Sequence, residues 1–297
     1  MATAFCPAHI TGFFKAELDK EDSKQLGSLG AGFSIQKGVK TTVTIRNKTK
    51  HDISNFTIKV NGFESGNMRV SKVVLSKFST KGKFVDIIHE IDVPVGYGFG
   101  SSAAVALSLS IALNDALECK LSKIKVAQIA HDVEIECKTG LGDVLASYYG
   151  GFEIRDKPGA PGIGHVQKIT LNKISIIMIC FSPISTSKFI KERLPRINGL
   201  GGKMVNKLLE SKNYEHFQEM SLEFAKYVDV MTPRMQKVVN ELSKNNIKCG
   251  IALFGETIFS MIPKENENKI LKILEKYSDG IIIKSELDDT GARVLYN

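Results

Sequence analysis

A short glycine-rich stretch that runs directly into an apolar helix constrains this chain more than any other feature. Glycines stand at every second position, Gly96, Gly98 and Gly100, and Ser101-Ser-Ala-Ala104 then leads into the apolar run Val105–Leu113. A helix that is apolar on nearly every face belongs in a hydrophobic core. Its first turn has unpaired N–H groups which, with the helix dipole, favour an anion such as phosphate. The stretch predicts a phosphate site at a helix tip, although Gly-x-Gly alone is equally compatible with a turn chosen for tight packing.

The rest of the chain alternates strand-like and helical segments. β-Branched runs such as Lys40–Ile45 and Phe56–Val60 make the first third mainly sheet. A helix is predicted from the N-cap Ser122 to near Gly140. The Gly- and Pro-rich residues 158–164 mark a turn and a domain boundary, so two α+β domains are expected, 1–160 and 161–297. Further strands are predicted near 152–155, 174–181, 249–255, 280–284 and 292–296, and further helices within 187–245 and 266–277.

Composition and charge exclude several classes of protein. The formal net charge of +8 and the pI near 9.1 suit an anionic nucleotide and an anionic substrate. The lysines are spread along the chain without a zinc-finger or RNP-like pattern, so no nucleic acid is expected as a partner. No apolar leader and no apolar run of about 18 residues is present, which predicts a cytoplasmic protein without a membrane partner. The five scattered cysteines predict reduced thiols.

The full string around the glycines is more specific than the glycines alone. Pro94-Val-Gly-Tyr-Gly-Phe-Gly-Ser-Ser-Ala-Ala104 resembles the phosphate-binding motif of the GHMP kinases, the superfamily of galactokinase, homoserine kinase and mevalonate kinase. No Walker lysine sequence and no protein-kinase signature is present, so the commoner ATP folds are disfavoured. The resemblance implies that ATP is bound by Pro94, Gly96, Gly98, Phe99, Gly100, Ser101, Ser102 and Ala103.

Two neighbouring segments extend this resemblance. His131–Glu136 looks like the family helix that supplies a magnesium-binding glutamate, and the match falls on Glu134. Thr139–Asp143 is similar to the family loop with a catalytic aspartate, and that match falls on Asp143. Taken singly, a solvated helix carboxylate and a helix N-cap are the commoner roles of such residues. Three segments in the family's order favour the family instead.

One subgroup of the family, the archaeal pantoate kinases, resembles the chain along nearly its whole length. The matching segments are Phe5–Phe14, Ser28–Phe33, Ser182–Thr186, Ala252–Gly255 and Gly291–Leu295. The resemblance implies a ribosomal-S5-like N-terminal domain, a ferredoxin-like C-terminal domain and an active site in the cleft between them. It also implies phosphorylation of the primary hydroxyl of pantoate to 4-phosphopantoate, on the route to coenzyme A, with ATP and Mg²⁺.

The residues of the implied site have distinct roles in phosphoryl transfer. N–H groups of residues 98–102 would hold the β- and γ-phosphates, and Ser102 with Glu134 would bind Mg²⁺, which prefers oxygen ligands. Asp143 would accept the proton of the substrate hydroxyl or orient that hydroxyl. His9 stands where mevalonate-type relatives carry a lysine, so a lysine-assisted base is not assumed. The candidate contacts of the small-molecule substrate are His9, Thr11, His131 and Arg155.

Three alternatives stay open from the sequence. A kinase for homoserine or a mevalonate-type alcohol would keep the ATP site and change the acceptor pocket. A nucleotide-binding sensor would keep the fold without the transfer reaction, because fold alone does not specify chemistry. An RNA-binding structural protein would suit the basic pI but leaves the glycine-rich turn unexplained. A homodimer is expected.

Overall fold

Two long neighbouring strands form the centre of the first β-sheet in the computed structural model, which describes residues 1–63 and 68–296. β1 (Ala2–Glu17) is buried along most of its length and pairs antiparallel with β2 (Gly27–Asn47). The pairing shifts between Pro7 and Ala8 and again between Thr11 and Phe13. Such β-bulges redirect side chains, so the strand has irregular pairing on both sides of His9.

The remaining strands of this sheet lie on both sides of the central pair. β4 (Lys83–Ile91) pairs with the second half of β2, and β3 (Phe56–Gly62) lies parallel to β4. β5 (Phe152–Lys157) pairs with the first half of β2 and is followed outward by β6 (His165–Ile169). The short strand β11 (Arg293–Leu295) pairs with β1, so late residues of the sequence complete the sheet of its first half.

The second sheet has four antiparallel strands in the order β10-β7-β9-β8. These strands are β7 (Ile174–Pro183), β8 (Gly250–Ala252), β9 (Gly255–Pro263) and β10 (Ile281–Glu286). Helices separate β7 from β8 and β9 from β10, whereas β8 and β9 are joined by a tight turn. In chain order this is the 4-1-3-2 strand arrangement of the ferredoxin-like fold, as predicted.

Eight helices pack on the described parts of the two sheets. Four follow the strands of the first half: α1 (Arg69–Ser76), α2 (Ser101–Ala116), α3 (Lys123–Cys137) and α4 (Asp143–Tyr149). The other four are α5 (Thr186–Ser211), α6 (Tyr214–Tyr227), α7 (Pro233–Lys244) and α8 (Glu267–Leu274). The predicted core helix is α2, which contacts β1, β2, α3 and α4. Ser122 caps α3 as predicted, because its hydroxyl accepts from the N–H of Lys125.

A single hydrophobic core joins the two halves of the chain. Phe33 on β2 lies with its ring centroid 5.0 Å from that of Phe259 on β9, and Phe217 on α6 stacks on Phe259 at 5.7 Å. A second cluster fills the space between the second sheet and helices α7 and α8. Because aromatic side chains from both sheets interlock, the cleft between the halves has a defined shape.

The predicted mixture of helices and sheets is confirmed, and the first third is mainly strand. The domain boundary near residue 160 stays a prediction, since the first sheet also contains β6 and β11 from the second half. The strand predicted near 249–255 is split by a turn, and β9 continues to Pro263. Among the described residues, no helix combines the length and the apolar composition needed to cross a bilayer.

Candidate active site

The glycine-rich turn needs its glycines for both conformation and space. Gly96, Gly98 and Gly100 have φ values of 85°, 87° and 56°, in the left-handed region that other residues avoid. A Cβ at Gly98 would lie 2.5 Å from the carbonyl oxygen of Leu253. Gly100 is the N-cap of α2, so the backbone turns there and the first N–H groups of the helix face the cleft.

The turn is held between the two halves of the chain by backbone hydrogen bonds. The N–H of His9 on β1 donates to the Phe99 carbonyl at 3.0 Å, and the N–H of Ile184 donates to the Gly96 carbonyl at 2.9 Å. These contacts fix the turn against β1 on one side and the end of β7 on the other. A preorganised backbone of this kind can receive an anion without further folding.

A cavity of about 430 Å³ opens in front of the turn, within the size range of small-ligand sites. Six of the eight predicted ATP-binding residues line it: Gly96, Gly98, Phe99, Gly100, Ser101 and Ser102. Pro94 and Ala103 are buried beside the turn and are not among its lining residues. Glu134, Asp143 and Thr11 also line the cavity, so the three motifs of the sequence meet there.

Glu134 lies at the bottom of the cavity with 2% of its surface exposed. Its Oε1 accepts from the hydroxyl of Ser102 and, at 2.6 Å, from that of Thr139. Its Oε2 is buried and has no hydrogen-bond partner among the described residues. Burial raises the pKa of Glu134 to about 7. An orphaned carboxylate oxygen beside a serine hydroxyl suits a proton or a hard cation such as Mg²⁺.

Asp143 is the first residue of α4 and lines the cavity. His9 Nδ1 is 2.8 Å from its Oδ1, and the Thr11 hydroxyl donates to the same oxygen at 3.4 Å. Burial acts to raise the pKa of Asp143, but the hydrogen bond with His9 and the charges of His9 and Arg155 outweigh it, so that pKa is lowered. Asp143 is therefore held as a carboxylate.

The other end of α4 is anchored by residues that come much later in the sequence. The N–H of Gly151 donates to the Asp288 carbonyl at 2.7 Å, and the N–H of Ala292 donates to the Ser147 carbonyl at 2.9 Å. The segment that makes these bonds continues into β11 on β1. The position of Asp143 therefore depends on residues 288–295 as well as on its own loop.

A second, smaller pocket adjoins Asp143 on the side facing α5. Its volume is about 10 Å³, room for about one water molecule. Its polar lining residues are Thr11, Ser28, Asp143 and Thr186, its apolar ones include Phe14, Ile190 and Phe254, and residues 140–142 complete the lining. Thr11, Asp143, Thr186 and Phe254 line both this pocket and the larger cavity. Asp143 thus lies where the two spaces adjoin.

The predicted substrate contacts differ in where the structure places them. Thr11 lines both spaces. His9 has no exposed surface and lies behind Asp143. His131 is buried under the turn before β2, where its Nε2 is 3.1 Å from the Ser23 carbonyl oxygen, and it lines neither space. Arg155 is 1% exposed and pairs with Glu153, so neither it nor His131 is brought to a cavity wall.

Several lining residues were missed as individual site candidates. Ser28, Thr186 and Phe254 belong to segments whose resemblance had been noted, but the chain separates them widely and nothing local marks them. Arg69 and Lys138 line the larger cavity and bring two cationic side chains toward it. Lys138 is the left-handed C-cap of α3, a position that could have been expected from its place after the helix.

Comparisons with known proteins identify relatives of this chain. The model of the GHMP kinase N-terminal domain matches residues 68–151, which include the turn, Glu134 and Asp143. The chain is 34% identical to the pantoate kinase of Methanocaldococcus jannaschii, over 91% of this chain and 96% of that protein. It is 29% identical to the pantoate kinase of Thermococcus kodakarensis, over 91% of each.

Two solved structures extend the comparison to the fold. A phosphotransferase related to the coenzyme A biosynthesis pathway superposes with a TM-score of 0.85 at 27% identity, covering 98% of this chain and 97% of the other. Homoserine kinase from Cytophaga hutchinsonii superposes with a TM-score of 0.68 at 18% identity, covering 99% of this chain and 97% of the other. The chain belongs to the GHMP kinase family. Within that family, the curated relatives that match it over nearly their whole length are the pantoate kinases of archaea.

Proposed function

We propose that this chain transfers the γ-phosphoryl group of ATP to the primary hydroxyl of pantoate, giving 4-phosphopantoate and ADP for coenzyme A biosynthesis. The observation that carries the proposal is the ionised Asp143 at the junction of the phosphate-turn cavity and a second pocket. The comparisons also support the proposal, because the relatives that match this chain over nearly their whole length are named pantoate kinases. Homoserine and mevalonate-type alcohols are the competing acceptors.

The nucleotide side of the site consists of the turn and the cations near it. N–H groups of residues 98–102 bind the β- and γ-phosphates, and Arg69 and Lys138 add positive charge at the cavity wall. Ser102 and Glu134 would hold Mg²⁺, which would neutralise phosphate charge. The described residues contain no group of three His, Cys, Asp or Glu side chains able to hold a metal.

The acceptor side lies between β1, the 140–142 loop and the first turns of α5. Pantoate has a carboxylate and a gem-dimethyl group, and the lining of the smaller pocket includes both hydroxyl side chains, such as Thr11 and Thr186, and apolar ones, such as Phe254. Its volume is smaller than pantoate requires, so the residues that line it have to move when the substrate enters.

Asp143 acts on the attacking hydroxyl. With Oδ1 bound by His9, the other oxygen, Oδ2, accepts the hydrogen bond of the substrate hydroxyl and takes its proton as the P–O bond forms. Glu134 stays on the phosphate side, bonded to Ser102 and Thr139. Closure of the cleft around both substrates excludes water, which would otherwise compete as the phosphoryl acceptor.

The test is acceptor-dependent release of ADP in a coupled assay with pantoate, homoserine and mevalonate, with Asp143→Asn as the matched variant. Pantoate is expected to give the highest kcat/KM. The Asp143→Asn change should lower kcat by about 10²- to 10⁴-fold while ATP still binds by calorimetry. Faster turnover of homoserine or mevalonate would refute the acceptor assignment. ATP binding without ADP release for any acceptor would support a sensor.

A further inference from the structure

Asp143 and three ionisable side chains behind it form a cluster of four, and of these four only Asp143 lines a cavity. The members are His9 on β1, Asp143 at the start of α4, and Glu153 and Arg155 on β5. His9 and Glu153 have no exposed surface, and Arg155 is 1% exposed. Glu153 and Arg155 are two residues apart on one strand, so they lie on the same face of the sheet.

His9 lies between two carboxylates. Its Nδ1 is 2.8 Å from Asp143 Oδ1, and its Nε2 is 3.0 Å from Glu153 Oε1. Gly32 on β2 allows the ring to lie there, because a Cβ at that position would be 2.5 Å from His9 Nε2. Both ring nitrogens thus face carboxylate oxygens, which only accept hydrogen bonds when ionised.

The charges of the cluster favour a ring with two N–H groups. Asp143 and Glu153 contribute two negative charges, and Arg155, paired with Glu153, contributes one positive charge. A neutral His9 would leave one net negative charge buried. It would also turn a nitrogen lone pair toward a carboxylate, which is Asp143 in one tautomer and Glu153 in the other. The Thr11 hydroxyl, 3.4 Å from Nδ1, or Arg155 Nη1, 3.3 Å from Nε2, could donate to the bare nitrogen, but neither would remove the excess charge. An imidazolium balances the cluster and donates at both ends.

We propose that His9 is a positioning residue that stays doubly protonated between Asp143 and Glu153, and so holds Asp143 ionised with Oδ2 free for the substrate hydroxyl. The inference rests on the role of Asp143 in the proposed reaction. It assigns Glu153 and Arg155 to the support of His9, away from the substrate. The positive charge that contacts Asp143 directly is therefore an imidazolium behind the carboxylate.

The titration behaviour of the two partners agrees with this arrangement. Burial acts to lower the pKa of His9, but its hydrogen bonds with Asp143 and Glu153 outweigh burial, and that pKa is raised above 6.5. Arg155 opposes this rise through its own charge. The Thr11 hydroxyl, also on β1, lies 3.4 Å from His9 Nδ1 and carries no charge. Activity that needs the imidazolium is retained below the pKa of His9 and lost as the pH rises through it.

The direct test is the titration of the His9 ring in the wild-type protein without substrates. Long-range ¹⁵N–¹H correlation spectra report whether each ring nitrogen carries a proton, and through-bond assignment of His9 requires no variant. The expected result is a ring with both nitrogens protonated and a titration midpoint above 6.5. A midpoint at or below 6.5, or a ring with one bare nitrogen at pH 6, would overturn the inference.

Two variants connect the ring to catalysis through pH–rate profiles. In His9→Gln the pKa of Asp143 rises, so the acid limb of kcat should move to higher pH, and kcat should fall about 10- to 100-fold with little change in the KM for ATP. In Glu153→Gln the pKa of His9 falls, so the alkaline limb should move to lower pH. A purely structural role would scale kcat equally at every pH, and superimposable profiles of folded variants would refute the proposal.

The two proposals fail in different ways. If His9 is doubly protonated but the protein does not phosphorylate pantoate, the protonation of His9 is confirmed and the pantoate assignment is refuted. If the protein phosphorylates pantoate but His9 is neutral, the pantoate assignment is confirmed and the protonation of His9 is refuted. Circular dichroism of both variants shows whether the fold is kept, and the wild-type spectra decide the protonation state even if neither variant folds.

Discussion

The buried carboxyl group of Glu134 should make the stability of the substrate-free protein depend on pH in a way that one substitution removes. Only 2% of Glu134 is exposed, and its Oε2 has no partner among the described residues. Its pKa is raised from 4.5 to about 7, chiefly by burial. The replacement Glu134→Gln keeps the shape of the side chain and is neutral at every pH.

The size of the effect follows from the two pKa values. Below pH 4.5 the carboxyl group is protonated in both the folded and the unfolded chain, so ionisation has no influence on folding. Between pH 4.5 and about 7 only the unfolded chain loses the proton, which progressively favours unfolding. Above pH 7 the folded protein must hold a buried charge. At about 1.4 kcal/mol per pH unit, the total loss of stability is about 3 kcal/mol.

The assay is urea unfolding at pH 4.5 and pH 8 without Mg²⁺ or nucleotide. The free energy of unfolding of the wild type, relative to Glu134→Gln, should fall by about 3 kcal/mol between these pH values. Hydrogen bonds lost by the substitution are a constant offset and do not enter this difference. Glu136→Gln is the matched control, since that side chain is on the same helix with 50% of its surface exposed. Parallel wild-type and Glu134→Gln curves would refute the reasoning.

Two glycine substitutions test the backbone contacts that shape the site. Gly98→Ala combines a φ of 87° with a Cβ 2.5 Å from a carbonyl oxygen, so it should destabilise the protein by about 1–3 kcal/mol and weaken ATP binding in calorimetry. Unchanged ATP affinity would contradict the proposal that the glycine-rich turn binds the nucleotide. Gly201→Ala on α5 would place a Cβ 1.9 Å from a carbonyl oxygen of β1, and should lower stability by about 1–3 kcal/mol in urea. Gly202→Ala meets only a flexible lysine side chain and should be neutral or stabilising, so equal losses at both positions would contradict the packing argument.

Local signals account for the parts of the structure that the sequence predicts well. The serine cap and apolar period of α3 lie within a few residues of each other, and α2 follows directly from its glycine-rich start. The meeting of the glycine-rich turn, Glu134 and Asp143 at one cavity follows from three short motifs. Their chemical roles, the homodimer and the cytoplasmic location stay predictions.

Contacts between distant segments account for what the sequence did not predict. The pairing of β11 with β1 and the approach of Thr186 and Phe254 to Asp143 depend on how the two sheets pack. His9 illustrates the difficulty most clearly. Its position in the N-terminal motif suggested a substrate contact, but its place beside Glu153 is set by the pairing of β2 with both β1 and β5.

Because residues 288–295 anchor α4, the site around Asp143 can be completed only late in the synthesis of the chain. The glycine-rich turn and α4 leave the ribosome early and can begin to fold, since domains form as the chain emerges. The segment that pins the far end of α4 is made much later. Until translation has passed that segment, Asp143 lacks its full support.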